Sequence, residues 1–103
     1  MEKQDSLQTF VVLSTAGANR DLAKGSREQA QWDEHEVFID ALVDNGFILM
    51  GGPLIDTGGA MLIVRGESGE AVRATIAQDP WYAHEILRLV SIERWDIFID
   101  RRA

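Results

Sequence analysis

The sequence predicts an α+β fold: a ferredoxin-like sandwich with the order β-α-β-β-α-β and an antiparallel sheet. Three observations predict it. The 103 residues are 46% apolar, without repeat or linker, which is one domain, 1–103, with a single core. Four runs rich in β-branched and aromatic residues are separated by two segments of helical periodicity, in that order. The two middle runs are joined only by a short glycine-flanked loop, which makes them antiparallel neighbours.

The first strand is "LQTFVVLST", Leu7 to Thr15, a near-continuous apolar run that suits a central position. The first helix is "SREQAQWDEHEVFIDALVDNG", with Ser26 as N-cap and Glu28 and Glu34 toward its N-terminal half. Trp32, His35, Phe38, Ile39, Leu42 and Val43 recur at three- and four-residue steps and form one apolar stripe. In this reading His35 stands about two turns into the helix, and Gly46 ends it. "FILMGGP" and "AMLIVRG", Ala60 to Gly66, are the second and third strands. A second helix follows in "SGEAVRATIAQ", with Ser68 as N-cap. Asp79-Pro80 interrupts it, and the proline opens a new turn at "PWYAHE". Ile86 to Asp100 reads as a long, bent fourth strand.

Right-handed crossovers place both helices on one sheet face. The other face keeps apolar residues that water would not tolerate as a contiguous patch, which predicts a homodimer packed sheet to sheet. Composition narrows the partners further. The net charge is −7, so there is no Lys/Arg cluster for a phosphate backbone or an anionic membrane surface. Cysteine is absent, which removes disulfides, thiolate zinc sites and a cysteine nucleophile. "MEKQDSLQTF" carries no apolar leader core, and no apolar run reaches the length of a membrane span. Together these predict a cytoplasmic protein with a small-molecule ligand rather than a nucleic acid or membrane partner.

The topology then points to a site. The start of the first helix, the loop between strands two and three and the end of the second helix share one end of the sheet. Those places hold His35, the stretch Gly51 to Gly59, and Asp79. A carboxylate beside an imidazole holds its tautomer, which suits general acid–base work. Each residue also has a plainer role: His35 as a histidine bonded to a backbone carbonyl, Asp79 as the turn residue before a proline. Five of the nine glycines fall between Asp44 and Gly59. Gly51, Gly52 and Pro53 predict a bulge where backbone approaches a ligand, and Gly58-Gly59 a turn. Arg94 is a candidate for an anionic substrate, with an exposed strand arginine as its plainer reading. His84 reads as exposed, and two histidines so far apart do not make a metal site. Trp32, Trp81 and Trp95 read as core or interface residues rather than as a ligand box. Phosphate-loop, dinucleotide and nucleophile-elbow motifs are missing.

The stretch "HEVFIDALVDNGFILMGGPL", the later Ser-Gly-Glu-Ala helix start and "AQDP" resemble the YciI-like (YCII-related) proteins, small bacterial members of the dimeric α/β barrel superfamily. The similarity runs from about Phe10 to Trp95. It implies a protomer that dimerises through its sheet and a cleft with a His–Asp pair at His35 and Asp79. A characterised member is a dehydrochlorinase acting on a chlorinated hydroxyquinol, and related barrels include muconolactone isomerases and monooxygenases. Members often carry an arginine shortly before the histidine; here Arg27 lies two helical turns ahead of it. Three functions follow as expectations. The first is a cofactor-independent enzyme moving a proton with His35 and Asp79 on a small cyclic or aromatic metabolite, as an isomerase or a lyase. The second is a non-catalytic binding protein using the same cleft. The third, taken from haem-binding barrels, makes His35 an axial haem ligand.

Overall fold

The computed structural model describes residues 7–102; part of the segment read above for a leader, residues 1–6, lies outside the described residues. The chain forms β1 (Gln8–Ala16), α1 (Trp32–Asp44), β2 (Ile48–Pro53), β3 (Ala60–Gly66), α2 (Gly69–Ile76), α3 (Pro80–Ala83) and β4 (Leu87–Arg94). The four strands make one antiparallel sheet in the order β2-β3-β1-β4. This is an α+β architecture compatible with a ferredoxin-like fold.

Strand periodicity explains the packing. Phe10 and Val12 of β1 pair with Val64 and Leu62 of β3, and Ile48 of β2 also pairs with Val64. These side chains share one face and pack on Leu42, Phe38 and Ile39 of α1 and on Val72 and Ile76 of α2, so both helices cover that face. A second buried cluster, Trp81, Ile86 and Leu87, closes one end of the molecule, with Trp32, Ala60 and Tyr82 against it. The opposite sheet face carries Val11, Leu13, Met50, Met61 and Ile63, which alternate with Phe10, Val12, Leu62 and Val64; Met50 and Met61 are exposed there, as is Val90 at the register shift in β4.

Two elements differ from the sequence reading. The first helix does not start at Ser26. Residues Ser26–Glu28 form a short 3-10 turn, and α1 begins at Trp32 after Gln31, whose φ of 65° is left-handed. The cause is Gln29, which is buried. Its amide nitrogen donates to the carbonyls of Asp21, Lys24 and Gly25, and its oxygen accepts from the Asp21 N–H. A buried amide must be satisfied, and here it is satisfied by folding the preceding loop around itself instead of continuing a helix. His35 therefore sits at the end of the first turn of α1, its N–H donating to the Gln31 carbonyl at 3.0 Å.

The fourth strand is the other correction. It spans Leu87–Arg94 rather than Ile86–Asp100, because its only neighbour is β1 and Phe10↔Arg94 is the last pair; the Trp95 N–H makes one further bond to the Thr9 carbonyl. Beyond that the chain leaves the sheet, and Phe98 and Ile99 are exposed.

Candidate functional site

His35 and Asp79 are in contact. Nδ1 of His35 lies 2.8 Å from Oδ2 and 3.0 Å from Oδ1 of Asp79. The carboxylate is almost fully buried, at 3% exposure, so it must be satisfied by protein donors. It has two. Asp79 is the N-cap of α3, its Oδ1 accepting from the Trp81 N–H at 2.9 Å, with Pro80 in the first helical position. The plainer role of an Asp before Pro and the role of imidazole partner are thus held by one side chain at once. A carboxylate only accepts, so with a neutral ring the proton sits on Nδ1, and Nε2 is left with a lone pair. Nε2 has no hydrogen-bond partner among the described residues.

The ring is fixed on its flat side as well. Trp81 stacks on His35 with centroids 3.7 Å apart and planes 6° from parallel. Trp81 is itself buried and donates its indole N–H to the Ala30 carbonyl at 2.9 Å. Trp32 tilts against both rings, 5.6 Å from His35 and 5.7 Å from Trp81. An imidazole gripped at one nitrogen and one face has little rotational freedom, which is what a positioned proton-transfer group requires.

These residues line a cavity of about 430 Å³ between α1, the β2–β3 arm and the turn at α3. The volume falls within the roughly 300–1,000 Å³ usual for small-molecule sites. Ile39, Val43, Ile48 and Leu62 make much of the wall apolar, with Ser14, Tyr82 and Arg20 among the polar groups. The face of α1 that meets it is Trp32, His35, Ile39 and Val43, so the apolar stripe is divided: Leu42 and Phe38 go to the core, Val43 to the cavity, and Ile39 touches both.

Gly51, Gly52 and Pro53 line the same cavity, at the end of an edge strand. The bulge predicted there lies a little earlier, in the register shift between Ile48 and Met50. Gly59 has a packing reason: a Cβ on it would stand 2.2 Å from the Ser14 carbonyl oxygen, so only glycine lets the β2–β3 loop close against β1. Arg94 is not brought to the cavity. β4 runs antiparallel to β1, so its last residue lies at the start of β1, where Arg94 donates to the Gln8 side-chain oxygen at 3.0 Å. His84 is exposed, as read. Among the described residues, no group of three or more His, Cys, Asp and Glu converges as metal ligands would.

Sequence reasoning missed Trp81 and Trp32 as cavity residues. The signal lay in Asp79-Pro80-Trp81: an N-cap followed by proline fixes the turn so that the third residue sits beside the cap's carboxylate. Ser14 and Tyr82 were missed as well. They share a short hydroxyl–hydroxyl hydrogen bond in the cavity wall. Burial pushes the Tyr82 hydroxyl above its ordinary value of 10.0, the bond to Ser14 opposes that shift, and the Asp79 carboxylate adds to it. The folded chain therefore keeps a proton that the unfolded chain gives up at alkaline pH. The stability this contributes is fully present below about pH 10 and is lost as the pH rises beyond it. Urea midpoints at about pH 8 and about pH 10.5 are expected to fall less in Tyr82→Phe than in the native chain.

Compared with known proteins, the chain matches no family model, and no curated protein matches it. Among the described residues no helix is long and apolar enough to cross a membrane.

Proposed function

We propose that this chain is a cytoplasmic, cofactor-independent acid–base enzyme in which His35 moves a proton of a small cyclic or aromatic metabolite. The observation that carries this reading is the His35–Asp79 pair at the wall of a largely apolar cavity, with Nδ1 engaged and Nε2 without a partner among the described residues. In the reaction, Nε2 takes a proton from a substrate carbon. Asp79, already bonded to the Nδ1–H, stabilises the imidazolium. In an isomerisation the proton returns to another carbon as the double bond shifts. In an elimination the C–H electron pair becomes the new C=C bond and a leaving group, such as chloride, departs with its own bonding pair. Negative charge developing on a substrate oxygen would be met by the protonated Tyr82–Ser14 pair and by the outer edge of β2 at Gly51–Pro53. The resemblance to YciI-like proteins supports the same chemistry, and membership of that family is part of the proposal.

The test is a screen of cyclic enones, lactones and chlorinated phenols in D2O, following deuterium uptake or chloride release by NMR. Protein-dependent turnover that disappears in a folded His35→Ala is the expected result. Undiminished turnover of the same substrate in that variant would sink the reading, and ligand binding without any turnover would favour a binding protein.

The same reading includes a homodimer formed through the open sheet face and closing into a dimeric α/β barrel. Its support is the exposed apolar side chains Met50 and Met61 on that face, with Val90 at the β4 edge. Sedimentation is expected to give about twice 11.5 kDa for the native chain and 11.5 kDa for Met61→Asp. A native chain that sediments as a monomer contradicts it.

A further inference from the structure

Arg20 has a property that no other charged side chain among the described residues shares: its Nε is buried and has no hydrogen-bond partner. Nor does its guanidinium form an ion pair among the described residues, where Lys24, Arg88 and Arg102 each have a carboxylate. Arg20 as a whole is partly exposed, and a cation without an ion pair at a cavity wall is a place where a ligand's anion can be met. Arg20 lines the cavity that holds His35, and among the described residues it is the sole Lys or Arg to do so. The one carboxylate there, Asp79, is already taken by His35 and the Trp81 N–H.

The loop that carries Arg20 is built to hold it. The Gly17 N–H donates to the Ile86 carbonyl at 2.9 Å and the Asn19 N–H to the Glu85 carbonyl at 2.8 Å. A Cβ on Gly17 would come within 2.2 Å of that same Glu85 oxygen, so the loop lies flat on the turn leading into β4. The Asn19 side chain adds a bond to the His84 carbonyl, and the Arg20 N–H closes back on the Gly17 carbonyl. On the other side Nε sits over Gly58, where a Cβ would stand 3.5 Å away. Nε is thereby held against the β2–β3 loop.

We infer that Arg20 is a substrate-binding residue and that the cavity takes a monoanionic carboxylate attached to an apolar ring. This rests on the reading of the cavity as a small-molecule site. The planar guanidinium fork matches a carboxylate, and the Trp and aliphatic walls match the ring. One guanidinium offsets one charge, and the neighbouring Asp79 disfavours a dianion such as a phosphate monoester. A carboxylate anchored at Arg20 would fix which ring carbon faces His35.

The test uses benzoate and benzamide, which share a ring and differ in charge, titrated by calorimetry with the histidine ring resonances followed by NMR. In the native protein benzoate is expected to bind more tightly and to shift His35. Arg20→Met is expected to weaken benzoate roughly ten- to a hundredfold, the span of a charge-assisted hydrogen bond, and to leave benzamide unchanged. Arg20→Lys should recover part of the loss. Equal binding of the two ligands by the native protein, or a benzoate preference that survives in Arg20→Met, overturns the inference. If benzamide still shifts His35 in that case, the His–Asp reading stands. If neither ligand shifts His35, both fall.

Discussion

Asp79→Asn should cost turnover on the order of 10⁴-fold, the loss seen when the orienting carboxylate of a protease triad becomes an amide, and should leave the fold standing. Asparagine has the same shape, and its side-chain oxygen can still cap the Trp81 N–H as Asp79 Oδ1 does at 2.9 Å. What changes is the group facing Nδ1. A carboxylate accepts a hydrogen bond there; an amide nitrogen donates one. The imidazole proton must then move to Nε2, and the nitrogen offered to substrate ceases to be a base. His35→Ala should lose as much, and the double variant no more, because the two residues act as a unit. The check is a three-variant comparison on a substrate found in the D2O screen, beside urea unfolding to show that Asp79→Asn is folded. Independent, multiplying losses would mean that the pair does not work as one group.

Trp81→Ala is expected to be the most damaging single change to stability. Trp81 is 4% exposed and anchors the cluster with Ile86 and Leu87. Truncating a buried tryptophan costs about 3–5 kcal/mol, from lost burial and the cavity left behind. Domains of this size have about 5–15 kcal/mol in all, so a large part of the margin goes. The change also removes the plate on which the His35 ring lies, 3.7 Å away. Trp81→Phe keeps a ring in place and gives up the indole bond to the Ala30 carbonyl, which belongs to an exposed residue and can turn to water. It should cost far less. Urea midpoints at constant slope measure both effects. Equal costs for the two variants would show that the indole bond, not the buried ring, holds this corner.

Much of this arrangement was legible in the residues. The strand runs around Phe10, Ile48 and Ile63, the Ser68 cap, which accepts from the Ala71 N–H at 3.0 Å, and the Asp-Pro turn all follow from local chemistry. The convergence of His35 with Asp79 followed from strand and helix order alone, since both stand at one end of the sheet. Other features required tertiary information. The delayed start of α1 depends on where Gln29 is buried, and its sequence, "SREQAQW", looks helical throughout. The end of β4 is where it parts from β1 after the Phe10↔Arg94 pair, which apolar content after Trp95 does not reveal. For the same reason Arg94 was grouped with the site although strand direction carries it to the far end. Arg20 had no local signal at all: a loop arginine becomes notable only when Gly58 comes up against its Nε at the cavity wall.

The most direct measurement on the His35–Asp79 pair is a long-range ¹⁵N–¹H NMR spectrum of the histidine rings at a pH where they are neutral, in the native protein and in Asp79→Asn. Only His35 and His84 are present, and exposed His84 serves as the internal reference. The account predicts that native His35 is the Nδ1–H tautomer and that Asp79→Asn converts it to Nε2–H, with His84 unchanged. An Nε2–H ring in the native protein, or the same tautomer in both, would show that Asp79 does not set the proton, and the catalytic role assigned to the pair would be wrong.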